Sequence, residues 1–222
     1  MHAPNGRSTG LAHGPIQTAS PGRVQDDPAL HDSSRRCRFD MLLVQPARTE
    51  PSAGIIFLHT PGANFALEGW LLAECGRRAN AITLCPSIGP ATTWQAREGI
   101  AILHAAIHFL KRSSVERIYL SAISVGVPGL LRVAAVAQSE LAGLILISGI
   151  APTLPPPALP TLLLRGAEDC LTPAALFQKY ARKAGKNCTL RELPGGQFLL
   201  PKHRTTVAKA ISTWLHQQVR CE

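Results

Sequence analysis

Arg117-Ile118-Tyr119-Leu120-Ser121-Ala122-Ile123-Ser124-Val125-Gly126 is the stretch that decides how this chain folds. An apolar, β-branched run leads straight into a small-x-Ser-x-Gly pattern, and a helix-like segment, Pro128 to Ala137, follows with no loop between. A strand that reverses at once into a helix lifts the turn residue out of the sheet. The residues two before and two after the turn must be small, because strand and helix nearly touch there. Ala122 and Gly126 meet that demand, which leaves Ser124 exposed. The plain alternative is a small serine packed in a strand-to-helix turn, so the flanking segments have to decide.

Working outward, short apolar runs alternate with segments of helical period. Phe39 to Val44 predicts a first strand. Gly54 to His59 and Ala142 to Ser148 are continuous apolar runs, as expected of strands covered on both faces. Ala81 to Cys85, Thr161 to Arg165 and Cys188 to Leu193 complete the strands. Helices are expected over Leu67 to Ala79, Trp94 to Lys111, Pro173 to Ala184 and Lys202 to Val219, with apolar residues at three- and four-residue spacing. Thr172 reads as the N-cap ahead of Pro173. The alternation predicts an α/β fold: a mostly parallel twisted sheet with helices on both faces. Residues 1–35, rich in Gly, Pro, Ser and Thr, read as a disordered or loosely attached leader, and residues 36–222 as a single domain.

Taken together, the Ser124 turn, the chain order of Ser124, Asp169 and the Gln197 position, and the segment Leu163-Leu164-Arg165-Gly166-Ala167-Glu168-Asp169 resemble the α/β-hydrolase superfamily. Ser124 stands at its nucleophile elbow, with Ala122 in place of the first glycine. The resemblance implies that Asp169, after a strand and Gly166, is the acid that orients a base, with Glu168 as the neighbouring alternative. It implies an oxyanion donor at the Val125 N–H and a second in the loop His59-Thr60-Pro61-Gly62-Ala63-Asn64. There the sequence departs from the family, because Thr60 replaces a glycine and Pro61, which has no N–H, stands where a backbone donor is usual. The second donor must then come from Gly62, Ala63, or the side chain of Thr60 or Asn64. His59 reads as a structural histidine.

A larger departure falls at the base. The family carries a histidine after the last strand; here Pro194-Gly195-Gly196-Gln197-Phe198-Leu199-Leu200 puts Gln197 in that place. An amide cannot take up and return a proton, so Gln197 cannot act as a general base. The nearest imidazole is His203, six residues on. Two bases stay open for a triad: His203, or a water assisted by Gln197. The interval Ala151 to Pro160 is too short for a cap, so an open site is expected, with Leu154, Leu159, Trp94, Phe65 and Phe198 as candidate apolar lining.

Composition bounds the partners. The net charge of +9 is uneven: +2 over residues 1–39, zero over 40–178 and +7 over 179–222. No aromatic platform or nucleic-acid motif accompanies the basic end, so no nucleic acid is expected. No apolar run reaches the roughly 20 residues needed to span a bilayer, and no secretory signal is visible, which makes the cytoplasm the expected location. The six cysteines show no C-x-x-C and no metal spacing with histidine, so neither disulfide, metal nor other cofactor is expected. Two functions follow. One is a serine hydrolase acting through Ser124 on a small ester or thioester, free or carrier-linked. The other is a hydrolase-fold protein altered at Gln197 that binds a ligand, performs a non-hydrolytic step or docks a partner.

Overall fold

A computed structural model describes residues 39–46, 50–60, 62–89 and 92–220. The expected leader, residues 1–35, and Pro61 lie outside the described residues. The sheet is built from β1 (Met41–Val44), β2 (Ala53–Phe57), β3 (Ala81–Pro86), β4 (Ile118–Ile123), β5 (Gly143–Ile147), β6 (Thr161–Gly166) and β7 (Cys188–Leu193). The helices are α1 (Phe65–Arg78), α2 (Arg97–Arg112), α3 (Val127–Val136), α4 (Ala174–Ala184), α5 (Leu199–Lys202) and α6 (Arg204–Arg220). The seven strands run in the order β1-β3-β2-β4-β5-β6-β7. Among the described residues, only β1 is antiparallel, pairing with β3, and every other neighbour is parallel.

Apolar side chains alternate between two cores. Leu144, Leu146 and Leu163 point to the side covered by α2, α3 and α4. Ile145, Ile147, Leu162 and Leu164 point to the side covered by α1 and α6. Tyr119 on β4 meets Trp214 on α6 edge to face, with ring centroids 5.7 Å apart. Such a contact adds about 0.5–1.5 kcal/mol beyond area burial, and it fixes α6 across the sheet. Between β5 and β6 the chain inserts no helix, so the carboxyl ends of the strands carry no cap. In parallel sheets that edge is where sites form. Among the described residues, no helix is long and apolar enough to cross a membrane.

Some helix ends differ from the sequence reading, each for a local reason. α1 starts at Phe65 because Asn64 caps it, its Oδ1 accepting the Leu67 N–H at 3.0 Å. α2 starts at Arg97, since Trp94 is drawn into the core and donates its Nε1–H to the His59 carbonyl. Thr172 does not cap α4. Pro173 holds the cap position, and the Thr172 N–H goes to Asp169 Oδ1 instead. The last helix, α6, starts at Arg204 rather than Lys202, with His203 separating it from the short helix α5.

The thiols report on this packing. Cys75 and Cys85 are buried, whereas Cys170 is exposed. Desolvation pushes the Cys75 thiol up to about 12 and raises Cys85 as well. A raised thiol pKa leaves almost no thiolate near neutrality, and thiolate is the reactive form. In native protein at pH 8, iodoacetamide followed by peptide mass spectrometry is expected to modify Cys170, and Cys75 and Cys85 only after unfolding. Native alkylation of Cys75 or Cys85 at the rate of Cys170 contradicts the packing of α1 on the sheet.

Candidate active site

Ile123 ends β4 in extended conformation, and Ser124 then takes a φ of +50° before a 3-10 turn, Ser124–Gly126, opens α3. A left-handed serine costs about 1–2 kcal/mol. The tight approach at this turn is made by Gly149 and not by Gly126, where a side chain would stand at ordinary contact distance, 3.5 Å from the Ala122 Cβ and 3.4 Å from the Leu58 carbonyl oxygen. The Gly149 α-carbon leaves no room for a Cβ beside the Ser124 backbone. Ser148, at the end of β5, is left-handed too, with φ +50°.

Gln197 reaches this turn from the loop after β7. Its Nε2 lies 2.8 Å from Ser124 Oγ and 3.0 Å from the Ser148 carbonyl oxygen. A carbonyl only accepts, so the atom facing Ser148 must be the amide nitrogen. Its second hydrogen then goes to Ser124 Oγ. The serine oxygen is therefore an acceptor from Gln197, and the serine proton points away from it. This reverses the polarity of a serine–histidine pair, in which the ring nitrogen accepts from the hydroxyl.

Asp169 is buried in the loop after β6, at 4% exposure. Its Oδ1 accepts the N–H groups of Leu171 (2.9 Å) and Thr172 (3.2 Å). Its Oδ2 and Gln197 Oε1 are buried without a hydrogen-bond partner among the described residues. Arg165 steadies the same loop: it donates to the Asp169 carbonyl at 3.3 Å, pairs with Glu192 and lies over the Phe177 ring. The Asp169 and Gln197 loops are joined by Ala167 N–H to Leu193 O and Glu168 N–H to Gly195 O. Gly166 makes the junction possible, because its α-carbon sits against the carbonyls of Gly195 and Gly196.

His203 stands elsewhere. Its ring packs on the α-carbon of Gly195, whose φ is +109°, and its backbone links α5 to α6 by accepting from Val207 and donating to Leu199. Among the described residues it makes no hydrogen bond with Ser124 or Asp169; the partner of Ser124 Oγ is Gln197. His59 is structural, with Nδ1 on the Thr60 carbonyl and Nε2 accepting the Ile88 N–H.

The oxyanion candidates divide. Val125 follows Ser124 and is exposed. The Ala63 N–H goes to the Thr60 carbonyl, and the Asn64 side chain caps α1. The Thr60 N–H goes to Glu68 Oε2 at 3.0 Å. Gly62, with φ +78°, and the Thr60 hydroxyl remain as candidates for a second donor. Sequence reasoning missed Glu68; its signal was only an acidic residue in the first turn of α1. The expected apolar lining does not form one pocket. Trp94 is sealed in the core, Leu154 and Leu159 pack on one face of the sheet and Phe65 on the other, and Phe198 stays exposed. Among the described residues, no group of three or more His, Cys, Asp or Glu is placed to hold a metal.

This sheet order, the uncapped edge and the turn after β4 define the α/β-hydrolase fold, in a form without a cap domain. No protein-family model and no curated protein matches the sequence. Solved structures do. A lidless α/β serine hydrolase from Xanthomonas campestris superposes with a TM-score of 0.60 at 16% identity, covering 80% of this chain and 89% of that one. A thermophilic esterase from Thermogutta terrifontis gives 0.65 at 14% identity, over 82% and 94% of the two chains. An α/β serine hydrolase homologue from Coxiella burnetii gives 0.61 at 18% identity, over 88% and 99%. At these identities it is the fold that is shared.

The junction of the two loops can be tested at Gly166. A methyl there meets backbone rather than a flexible side chain, and overpacking of that kind costs about 1–3 kcal/mol. Gly166→Ala is expected to lose that much in urea unfolding while keeping its far-ultraviolet circular dichroism. A variant as stable as the wild type contradicts the close approach.

Proposed function

We propose that this protein binds a small ester or thioester carbonyl at Ser124 on an α/β-hydrolase scaffold, with hydrolytic turnover suppressed by Gln197. The hydrogen bond from Gln197 Nε2 to Ser124 Oγ carries this proposal. A serine attacks an acyl carbon only as its proton leaves, and that proton needs an acceptor in line. An amide nitrogen has no available lone pair. A donor on the serine oxygen also draws off the electron density that attack requires. What remains is a hydroxyl whose proton is directed outward, beside the Val125 N–H at a helix start. Both groups are donors, and together they suit a carbonyl oxygen. Similarity in fold to serine hydrolases and esterases supports a ligand of ester type.

A second proposal, slow acyl transfer through Ser124, draws support from its left-handed φ of +50°, since backbone strain is commonly kept at reacting residues. Hydrolysis of p-nitrophenyl acetate and of a short acyl thioester separates the two. The wild type is expected to differ little from Ser124→Ala. Gln197→His supplies a base and is expected to raise kcat/KM by about 100-fold or more. That gain should increase with pH through roughly 6.5, where imidazole loses its proton, and Asp169→Asn should remove most of it. Wild-type turnover well above Ser124→Ala, at a rate that Gln197→His does not improve, rejects the suppressed-turnover proposal in favour of acyl transfer.

A further inference from the structure

We propose that Glu68 selects the charge of the ligand at Ser124, admitting an uncharged carbonyl on an apolar chain and excluding carboxylates. The proposal rests on Ser124 acting as an outward donor. Glu68 sits in the first turn of α1, its own N–H bonded to the Asn64 carbonyl and its Oε2 accepting the Thr60 N–H at 3.0 Å. Thr60 adjoins the Ser124 turn: its Cα is 3.9 Å from where a side chain on Gly126 would begin.

Two consequences follow. An amide bonded to a carboxylate is strongly held, so the Thr60 N–H is withheld from any ligand oxygen. In addition, the half-buried Glu68 carboxylate is held against the loop after β2, and the buried Asp169 stands in the loop after β6, on the same sheet edge as the Ser124 turn. A carboxylate ligand meets two like charges, whereas a neutral carbonyl meets none. The rest of the ligand is indicated by Val125, Leu171 and Phe198, which are 69%, 70% and 63% exposed. Each lies within two residues of Ser124, Asp169 or Gln197 in the chain, on an edge without a cap, so an apolar chain can lie across them. The class is thus an intact, uncharged acyl compound rather than the acid its hydrolysis would release.

Binding to the full-length protein by ligand-observed NMR, with 2-octanone and octanoate as probes, tests this. The wild type is expected to bind the ketone, and octanoate about tenfold more weakly or worse. Glu68→Gln keeps an oxygen for the Thr60 N–H but removes the charge. It should leave ketone affinity unchanged and bring octanoate to within about threefold of it. A purely structural glutamate would not move that ratio. Leu171→Ser with Phe198→Ser should weaken both probes. Equal binding of the two probes by the wild type, an unchanged ratio in Glu68→Gln, or no binding of either probe overturns the role of Glu68. Ketone binding that survives Ser124→Ala overturns the donor role of Ser124 instead, and the ratio in Glu68→Gln still decides the charge selection.

Discussion

Two hydrogens on one amide nitrogen set the character of this site. Gln197 Nε2 spans from the loop after β7 to Ser124 Oγ and to the Ser148 carbonyl, and so joins the ends of β4, β5 and β7. The Ser148 carbonyl leaves no choice of orientation, because only the nitrogen can donate to it. Once the nitrogen is placed, the serine oxygen must accept. The chemistry then follows from hydrogen-bond bookkeeping: an acceptor serine carries its proton outward, toward solvent or a ligand.

The surroundings keep that geometry at some expense in stability. Ser124 and Ser148 both hold left-handed backbone at adjacent strand ends, each at about 1–2 kcal/mol. Gln197 Oε1 and Asp169 Oδ2 are buried acceptors with no donor among the described residues, and an unmet buried acceptor costs about 1–3 kcal/mol. The two cores offset these costs, with long apolar runs on β2, β4, β5 and β6 at or near zero exposure. Arg165 and the Gly166 junction then hold the Asp169 loop against the Gln197 loop.

The fold was legible because burial on both faces writes itself into runs such as Ile55-Ile56-Phe57 and Leu144-Ile145-Leu146-Ile147, where no polar residue interrupts. The Ser124 turn was legible from the small residues Ala122 and Gly126 on either side of it, although the tight approach at the turn is made by Gly149. Gln197 was legible as a residue in the wrong place for a base, but its second bond was not. That bond goes to the backbone of Ser148, and every residue type offers a carbonyl. The bond from Glu68 to the Thr60 amide was hidden for the same reason. His203 was considered as a base because it is the nearest histidine to Gln197, at the expected start of the last helix. The break between α5 and α6 lays its ring on Gly195. Thr172 does not cap α4 because Pro173 takes the cap position, while the Asp169 side chain holds the Leu171 and Thr172 N–H groups of the preceding turn.

The central claim is that Ser124 is held as a hydrogen-bond donor and not as a nucleophile. A fluorophosphonate probe, which reacts with activated serines, tests it directly when labelling at Ser124 is followed by peptide mass spectrometry. The wild-type chain should remain unlabelled under conditions that label Gln197→His at Ser124. Labelling of wild-type Ser124 as fast as in that variant would contradict the account.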